Sequence, residues 1–141
     1  MRRKIPSRLR SEVARRAGYR CEYCLIHEED TFYGCQVEHI ISLKHGGTND
    51  LDNLAYACAF CNYAKGANIA TIIDDTKQLV RFFNPRHDRW QDHFRLEGAH
   101  IVPLTEIGEA TVKVLGLNHP SRIMERELLI RAGRYPTPQE P

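Results

Sequence analysis

The sequence lacks any long apolar run. No stretch of about 18 apolar residues, the length that a membrane-crossing helix needs, occurs in the chain. The N-terminus is basic, but the apolar segment of a secretion signal does not follow it. These absences predict a cytoplasmic protein that has no membrane partner.

The chain also lacks a strong net charge, internal repeats and linkers rich in proline, glycine or serine. Its net charge is +2 and its pI is about 8.3, which falls short of the strongly basic balance of a purely electrostatic nucleic-acid binder. A length of 141 residues, of which 42% are hydrophobic and 27% charged, is ordinary for one globular domain. We therefore expect a single domain over residues 1–141.

Charge is nevertheless distributed unevenly near the N-terminus. Before residue 21 the chain is rich in arginine and has one acid, whereas three acids follow at residues 28–30. Apolar residues at helical spacing predict a helix that begins near Pro6 and ends at Gly18. Its arginines are candidates for phosphate contacts, with a merely solvated basic face as the alternative; they are Arg8, Arg10, Arg15 and Arg16.

Five cysteines are present, and four of them form two CxxC pairs of identical spacing, Cys21 with Cys24 and Cys58 with Cys61. In a reducing cytosol such pairs indicate a metal rather than disulfides. Four thiolates complete a tetrahedral structural Zn²⁺ site and leave no open position for a reacting water. Ordinary buried thiols, a redox motif or an iron site are the alternatives. Cys35 is left over, and we expect it to be a buried thiol.

The interval between the two cysteine pairs predicts a hairpin followed by a short helix. β-branched residues favour a strand over residues 36–41, loop-forming residues follow at 45–50, and residues 54–57 can pair back. A short helix is expected over residues 61–67, closed by Gly66. Zinc would then tie the end of the basic helix to the end of the hairpin.

Three polar residues of this interval suggest a second metal and a base. Glu38 and His39 are adjacent, and at a strand end both can be directed at one site, where one binds a metal while the other handles a proton. Asn62 directly follows the last cysteine, and with Glu38 it offers hard oxygen ligands suited to Mg²⁺ or Mn²⁺. Taken singly, these are also ordinary structural residues: a hydrogen-bonded histidine, a solvated acid and a helix N-cap, with Asn53 as an Asx-turn residue.

The stretches CEYC, VEHI, GG, DNL and CAFCNYAKG, in this order, resemble the HNH endonuclease family in its four-cysteine form. The resemblance covers roughly residues 21–66, and it implies a zinc-bound ββα-metal (His-Me finger) core. It implies that His39 is the general base, that Asn53 braces the loop, and that Glu38 and Asn62 hold the catalytic ion. The implied cofactors are structural Zn²⁺ and catalytic Mg²⁺ or Mn²⁺, and the implied partner is DNA, with RNA not excluded.

The remaining segments are less informative. Residues 79–131 predict a C-terminal extension of strands and helices, and Pro136 and Pro138 suggest a frayed tail. Residues 84–94 could form a nucleic-acid surface, although the helical spacing of Trp90 and Phe94 favours a place in the core. With the stretches NPR, WQDHF, GEATV and LGLN, the C-terminal extension resembles the C-terminal portion of some small stand-alone bacterial HNH proteins. Lys65 could contact a phosphate or be a solvated helix lysine, and His45 is expected to be exposed.

Together these features predict an α+β protein with an N-terminal basic helix, a ββα core over residues 21–66 and an extension over residues 79–131. The function expected from the resemblance is metal-dependent hydrolysis of DNA phosphodiester bonds, nicking one strand per site, by a monomer or homodimer. The alternative is a zinc-stabilised nucleic-acid-binding module without cleavage. A zinc protein that binds only a protein partner is a further alternative.

Overall fold

The computed structural model describes residues 5–137, and over that range the chain is a mixed α and β structure. Three separate two-stranded antiparallel sheets alternate with five α-helices, which confirms the predicted mixture of helices and strands. The first half contains α1 (Ser7–Arg16), β1 (Cys35–His39), β2 (Leu54–Cys58) and α2 (Ala59–Lys65). None of the helices in residues 5–137 is long and apolar enough to cross a membrane.

The second half continues with two hairpins and three helices. Its elements are β3 (Ala70–Ile72), β4 (Leu79–Arg81), α3 (Trp90–His93), β5 (Phe94–Glu97), β6 (His100–Pro103), α4 (Glu106–Leu115) and α5 (Pro120–Arg131). Strand β4 ends at Arg81, because Phe82 and Phe83 leave the hairpin to enter the core.

Helix α1 packs against the hairpin through one apolar stripe. Val13 is fully buried and, with Ile5 and Ala17, contacts Leu54 and Tyr56 of β2. The opposite side of the helix carries exposed arginines, as expected for an amphipathic surface helix. The stripe therefore decides which arginines point to solvent.

The β1–β2 hairpin positions the candidate site. Its register runs from Cys35 opposite Cys58 to His39 opposite Leu54. All five residues of β2 are buried, whereas the residues of β1 are mostly half-buried. The thiol predicted to be buried, Cys35, is one of these half-buried residues, and partial burial raises its pKa.

One apolar core joins the cysteine cluster to the second half of the chain. It contains the four paired cysteines together with Phe83, Phe94, Ile101 and Leu117. Trp90 packs on Phe94, and its Nε1 donates a 2.9 Å hydrogen bond to the carbonyl of Tyr23. Residues 84–94 thus contribute to the core, so that the alternative of a nucleic-acid surface is wrong for both aromatic residues.

Ion pairs and a buried tyrosine stabilise the C-terminal part. Arg86 is paired with Glu22, and Arg81 contacts Asp88 at 2.7 Å. Tyr135 is buried and its hydroxyl donates a 2.8 Å hydrogen bond to the carbonyl of Cys24. The tail expected to fray begins at Pro136, directly after this anchored residue, and Pro138 lies outside the described residues.

Candidate metal centre and adjoining groove

The four paired cysteines form a compact cluster of sulfur atoms. Their Sγ atoms all lie within 4.8 Å of one another, and all four side chains are buried. In each pair the backbone amide of the second cysteine faces the sulfur of the first at 3.5 Å. Four buried sulfur donors at this separation fit a closed tetrahedral zinc site.

The protonation of these thiols shows how closely they are packed. Burial raises the pKa of Cys21, whereas hydrogen bonds from Cys21, Cys24 and Cys61 lower the pKa of Cys58. The close packing therefore shifts the pKa values of these two thiols in opposite directions. Zinc binding would release the protons of the thiols, since the metal binds thiolates.

A groove of about 1030 Å³ runs along the free edge of β1 between α1 and α2. Three residues predicted from the sequence, Glu38, His39 and Asn62, line this groove together. The fold therefore brings the candidate base and both candidate oxygen ligands to one surface. Other residues of the lining were not singled out from the sequence: Gln36, Lys44 and Tyr63.

His39 is the last residue of β1 and is half-buried. Its Nε2 lies 2.7 Å from the Oδ1 of Asn49 in the loop between the strands. Among residues 5–137, the structure gives the other ring nitrogen, Nδ1, no hydrogen-bond partner. The ring is thus held on one side and free on the other.

Asn53 ties the two ends of that loop together. Its Oδ1 accepts a 2.9 Å hydrogen bond from the amide of Ile41, while its Nδ2 donates to the carbonyls of Ile41 and Thr48 at 2.9 and 2.8 Å. Gly47 is needed for this approach, because a Cβ there would lie 1.7 Å from the carbonyl oxygen of Ile41. Gly47 and Asn53 therefore both stabilise the same compact turn.

Residues 21–68 match the HNH endonuclease family. The match includes both cysteine pairs and every residue of the loop just described, which confirms the resemblance in its four-cysteine form. No curated protein and no solved structure matches the chain. We call residues 21–68 the HNH segment.

Glu38 of the HNH segment is not a solvated acid. The residue is buried, at 5% exposure, and its two side-chain oxygens accept hydrogen bonds from the hydroxyl of Tyr23 and from Lys65 Nζ, the latter at 3.0 Å. Burial raises the pKa of Glu38, and both partners act against that shift. A carboxylate has about four acceptor positions, so these contacts leave lone pairs for a cation.

The environment of Lys65 contradicts the prediction that this residue contacts phosphate. It is 2% exposed, and its Nζ donates to the carboxylate of Glu38 and to the carbonyls of His39 and Ile40 at 3.1 and 2.9 Å. All three donor positions of the ammonium are used inside the protein. Lys65 connects α2 to the end of β1 and supports the backbone of the candidate base.

Asn62 lies in α2, immediately after the last cysteine of the HNH segment. Its Nδ2 donates a 2.9 Å hydrogen bond to Oε1 of Gln36, which leaves Oδ1 as an acceptor. The helix N-cap is Cys58, whose sulfur accepts from the amide of Cys61, so the N-cap alternative for Asn62 is wrong.

The arginines of α1 have different environments. Arg8 is exposed, and Arg15 is exposed but paired with Glu12 at 2.5 Å. Arg16 instead donates hydrogen bonds to the carbonyls of Leu51, at 2.7 Å, and Leu54. It therefore holds the loop in place of the phosphate contact predicted for it. Arg10 lines the groove of the HNH segment.

Arg122 of α5 contacts the cysteine cluster, although no sequence pattern marked it. Its Nη2 lies 3.1 Å from Cys24 Sγ and its Nη1 lies 3.6 Å from Cys58 Sγ. Burial disfavours the Arg122 cation, but the nearby cysteine sulfurs outweigh burial and raise its pKa. With Zn²⁺ bound, four thiolates would exceed the charge of the ion, and the buried Arg122 cation beside them would compensate the excess.

Proposed function

We propose that the protein is a metal-dependent endonuclease that hydrolyses phosphodiester bonds of DNA. The observation that carries this proposal is the common groove of Glu38, His39 and Asn62 within a segment that matches the HNH endonuclease family. A structural zinc site alone would not require these three residues on one surface. The hairpin β1–β2 and helix α2, clamped by zinc, would form the ββα-metal core.

His39 is the general base of the proposed reaction. Its Nδ1 has no hydrogen-bond partner within the described part of the chain, and the side chain lines the groove, so that it can accept the proton of an attacking water. Lys65 holds the backbone at His39 itself, through its carbonyl, and Asn53 holds it two residues later, through Ile41. The proton acceptor therefore belongs to a firmly held strand end.

Glu38 and Asn62 would hold the catalytic Mg²⁺ or Mn²⁺. Both offer oxygen atoms to the groove, the carboxylate of Glu38 through its remaining lone pairs and Asn62 through Oδ1. When bound, such an ion stabilises the negative charge that develops on the phosphate and on the leaving oxygen. The zinc site is structural, because its four sulfur ligands leave no position for water.

The basic residues around the groove would position DNA without reading its sequence. Arg10 and Lys44 line the groove, and Arg8 and Arg15 are exposed on α1. Arginine and lysine contacts to phosphates set the register and orientation of a duplex but distinguish no bases. One active site would cut one strand, so that a monomer nicks and a double-strand cut needs a dimer or two encounters.

The test is a nicking assay on supercoiled plasmid with zinc-loaded parent, His39→Ala and His45→Ala. Mg²⁺ or Mn²⁺ is added or omitted, rather than removed with a strong chelator that would also strip zinc. We expect metal-dependent nicking by the parent and by His45→Ala, because His45 is exposed and outside the groove. His39→Ala should bind plasmid and zinc but lose nicking.

Nicking by His39→Ala at the parent's rate would remove His39 as the base. A zinc-loaded parent that binds DNA but never nicks it would instead support the binding module without cleavage.

A further inference from the structure

We propose that Asn49 is the positioning residue of the site, which fixes both the orientation of the His39 ring and the position of its proton. The hydrogen bond belongs to the structure, whereas the consequence for catalysis rests on the proposed function of His39 as a base. Asn49 was not among the residues singled out from the sequence, where it stands in a run of ordinary loop residues.

The chemistry of the contact determines the tautomer. The atom of Asn49 that faces His39 Nε2 at 2.7 Å is Oδ1, and an amide oxygen only accepts hydrogen bonds. Nε2 must therefore carry the hydrogen. A neutral imidazole has one N–H, so Nδ1 carries the lone pair, and it is the nitrogen that can accept a proton in the groove.

Asn49 can act in this way because the loop around it is held on both sides. On one side, the carbonyl of Thr48 accepts a 2.8 Å hydrogen bond from Asn53. On the other, the hydroxyl of Thr48 contacts the carboxylate of Asp50 at 2.9 Å and accepts from its amide at 3.2 Å. The acceptor oxygen is thus fixed relative to the strand that ends at His39.

Loss of this acceptor would have two effects on His39. The tautomer with hydrogen on Nδ1 would become accessible, and that form presents no lone pair at the position of the base. The ring could also rotate about its side-chain bonds. A displacement of about 1 Å in a reacting group can cost on the order of 100-fold in rate.

The first experiment measures the ring nitrogens of His39 by long-range ¹H–¹⁵N NMR on the zinc-loaded full chain, at a pH where His39 is neutral. His39→Ala assigns the signals. We expect the parent and Asn49→Asp, which keeps an acceptor oxygen, to show hydrogen on Nε2. Asn49→Leu, which keeps the volume without the acceptor, should show a mixture of tautomers. Asp52→Ala, at an exposed residue of the same loop whose side chain forms no hydrogen bond within residues 5–137, should retain the parent pattern.

The second experiment measures nicking kinetics for the same variants. We expect Asn49→Leu to lose about 100-fold in kcat with KM and DNA binding unchanged, and Asn49→Asp to recover most of that loss. If Asn49→Leu shows the same ring signals and the same kcat as Asp52→Ala, the proposal is overturned. If no variant and no parent nicks DNA, the proposed function fails, and the ring signals of Asn49→Leu still decide whether Asn49 positions His39.

Discussion

At the residue scale, a buried ion pair holds the backbone of the candidate base in place. Lys65 and Glu38 have side-chain exposures of 2% and 4% and lie 3.0 Å apart. Taking two charges out of water is costly, so such a pair contributes little net stability compared with an apolar pair. Its value here is positional, because the same ammonium binds the carbonyls of His39 and Ile40.

Removal of one partner of this pair should be far more harmful than removal of both. Lys65→Met leaves the Glu38 carboxylate buried without a counter-charge, and we expect it to lower the free energy of unfolding by about 3–5 kcal/mol. The double variant Glu38→Gln/Lys65→Met should recover part of that loss. Denaturant unfolding with zinc present measures both, and Lys44→Met is the exposed control. If Lys65→Met lowers the free energy of unfolding no more than Lys44→Met does, the role assigned to the buried ion pair is wrong.

Gly47 is a second constraint at this scale. A Cβ at Gly47 would meet the carbonyl of Ile41 at 1.7 Å and Asn53 Nδ2 at 2.8 Å. Gly47→Ala should therefore displace the loop, reduce stability and impair nicking together. Gly98→Ala is the comparison, because Gly98 has φ of 58° but open space, so that only a left-handed backbone cost of about 1–2 kcal/mol applies. If Gly47→Ala loses no more stability than Gly98→Ala and still nicks DNA at the parent's rate, the loop can accommodate the added Cβ.

At the element scale, α5 is attached to the cysteine cluster through Arg122. The guanidinium lies against two sulfur atoms and 5.0 Å from the centre of the Phe60 ring, which belongs to α2. The helix also carries Glu125, 3.4 Å from the Nε of Arg122. A helix far along the chain thus supplies the cation beside a site whose ligands all belong to the HNH segment.

Arg122→Met should therefore weaken zinc binding without removing a ligand. Outer contacts of metal sites typically contribute 10- to 100-fold in affinity, and we expect a loss of about that size. Competition against a chelator of known zinc affinity measures it. Arg131→Met, at the exposed end of the same helix, is the matched control. If both variants hold zinc as tightly as the parent, the charge compensation assigned to Arg122 is wrong.

At the scale of the whole molecule, the cysteine cluster belongs to the same apolar core as the C-terminal extension. Tyr135, near the end of the described chain, contacts Cys24, and Trp90 contacts Tyr23. A core that is continuous in this way is expected to unfold in one transition. The single-domain organisation remains a prediction that unfolding can test.

Loss of zinc should consequently unfold more than the HNH segment. Cys58→Ser removes one ligand, and the binding free energy of a structural zinc site is also folding free energy. We expect the variant to lose zinc, helix content and the fluorescence signal of Trp90 packed against the core, together; Trp90 is the only tryptophan. Cys35→Ser, outside the ligand set, should keep all three. Retained helix content with Trp90 still packed in a zinc-free variant would show that the extension folds independently.

The sequence by itself determined the parts of the site that depend on local spacing. Two CxxC pairs place four sulfurs on two short turns, and adjacency carries Glu38 and His39 to the same strand end whatever surrounds them. The order of hairpin and short helix also followed from strand and loop patterns, with helix α2 ending at Lys65 rather than Ala67. Covalent spacing and local backbone preference were sufficient for these predictions.

Only the tertiary structure decided what the long polar side chains do. Lys65 and Arg122 look like surface cations in the sequence, and each is buried because another element brings it an anionic partner. Asn49 resembles any loop asparagine until the turn closed by Gly47 and Asn53 sets it against His39. A flexible side chain can reach many partners, and the packing of elements distant in the chain selects the one it contacts.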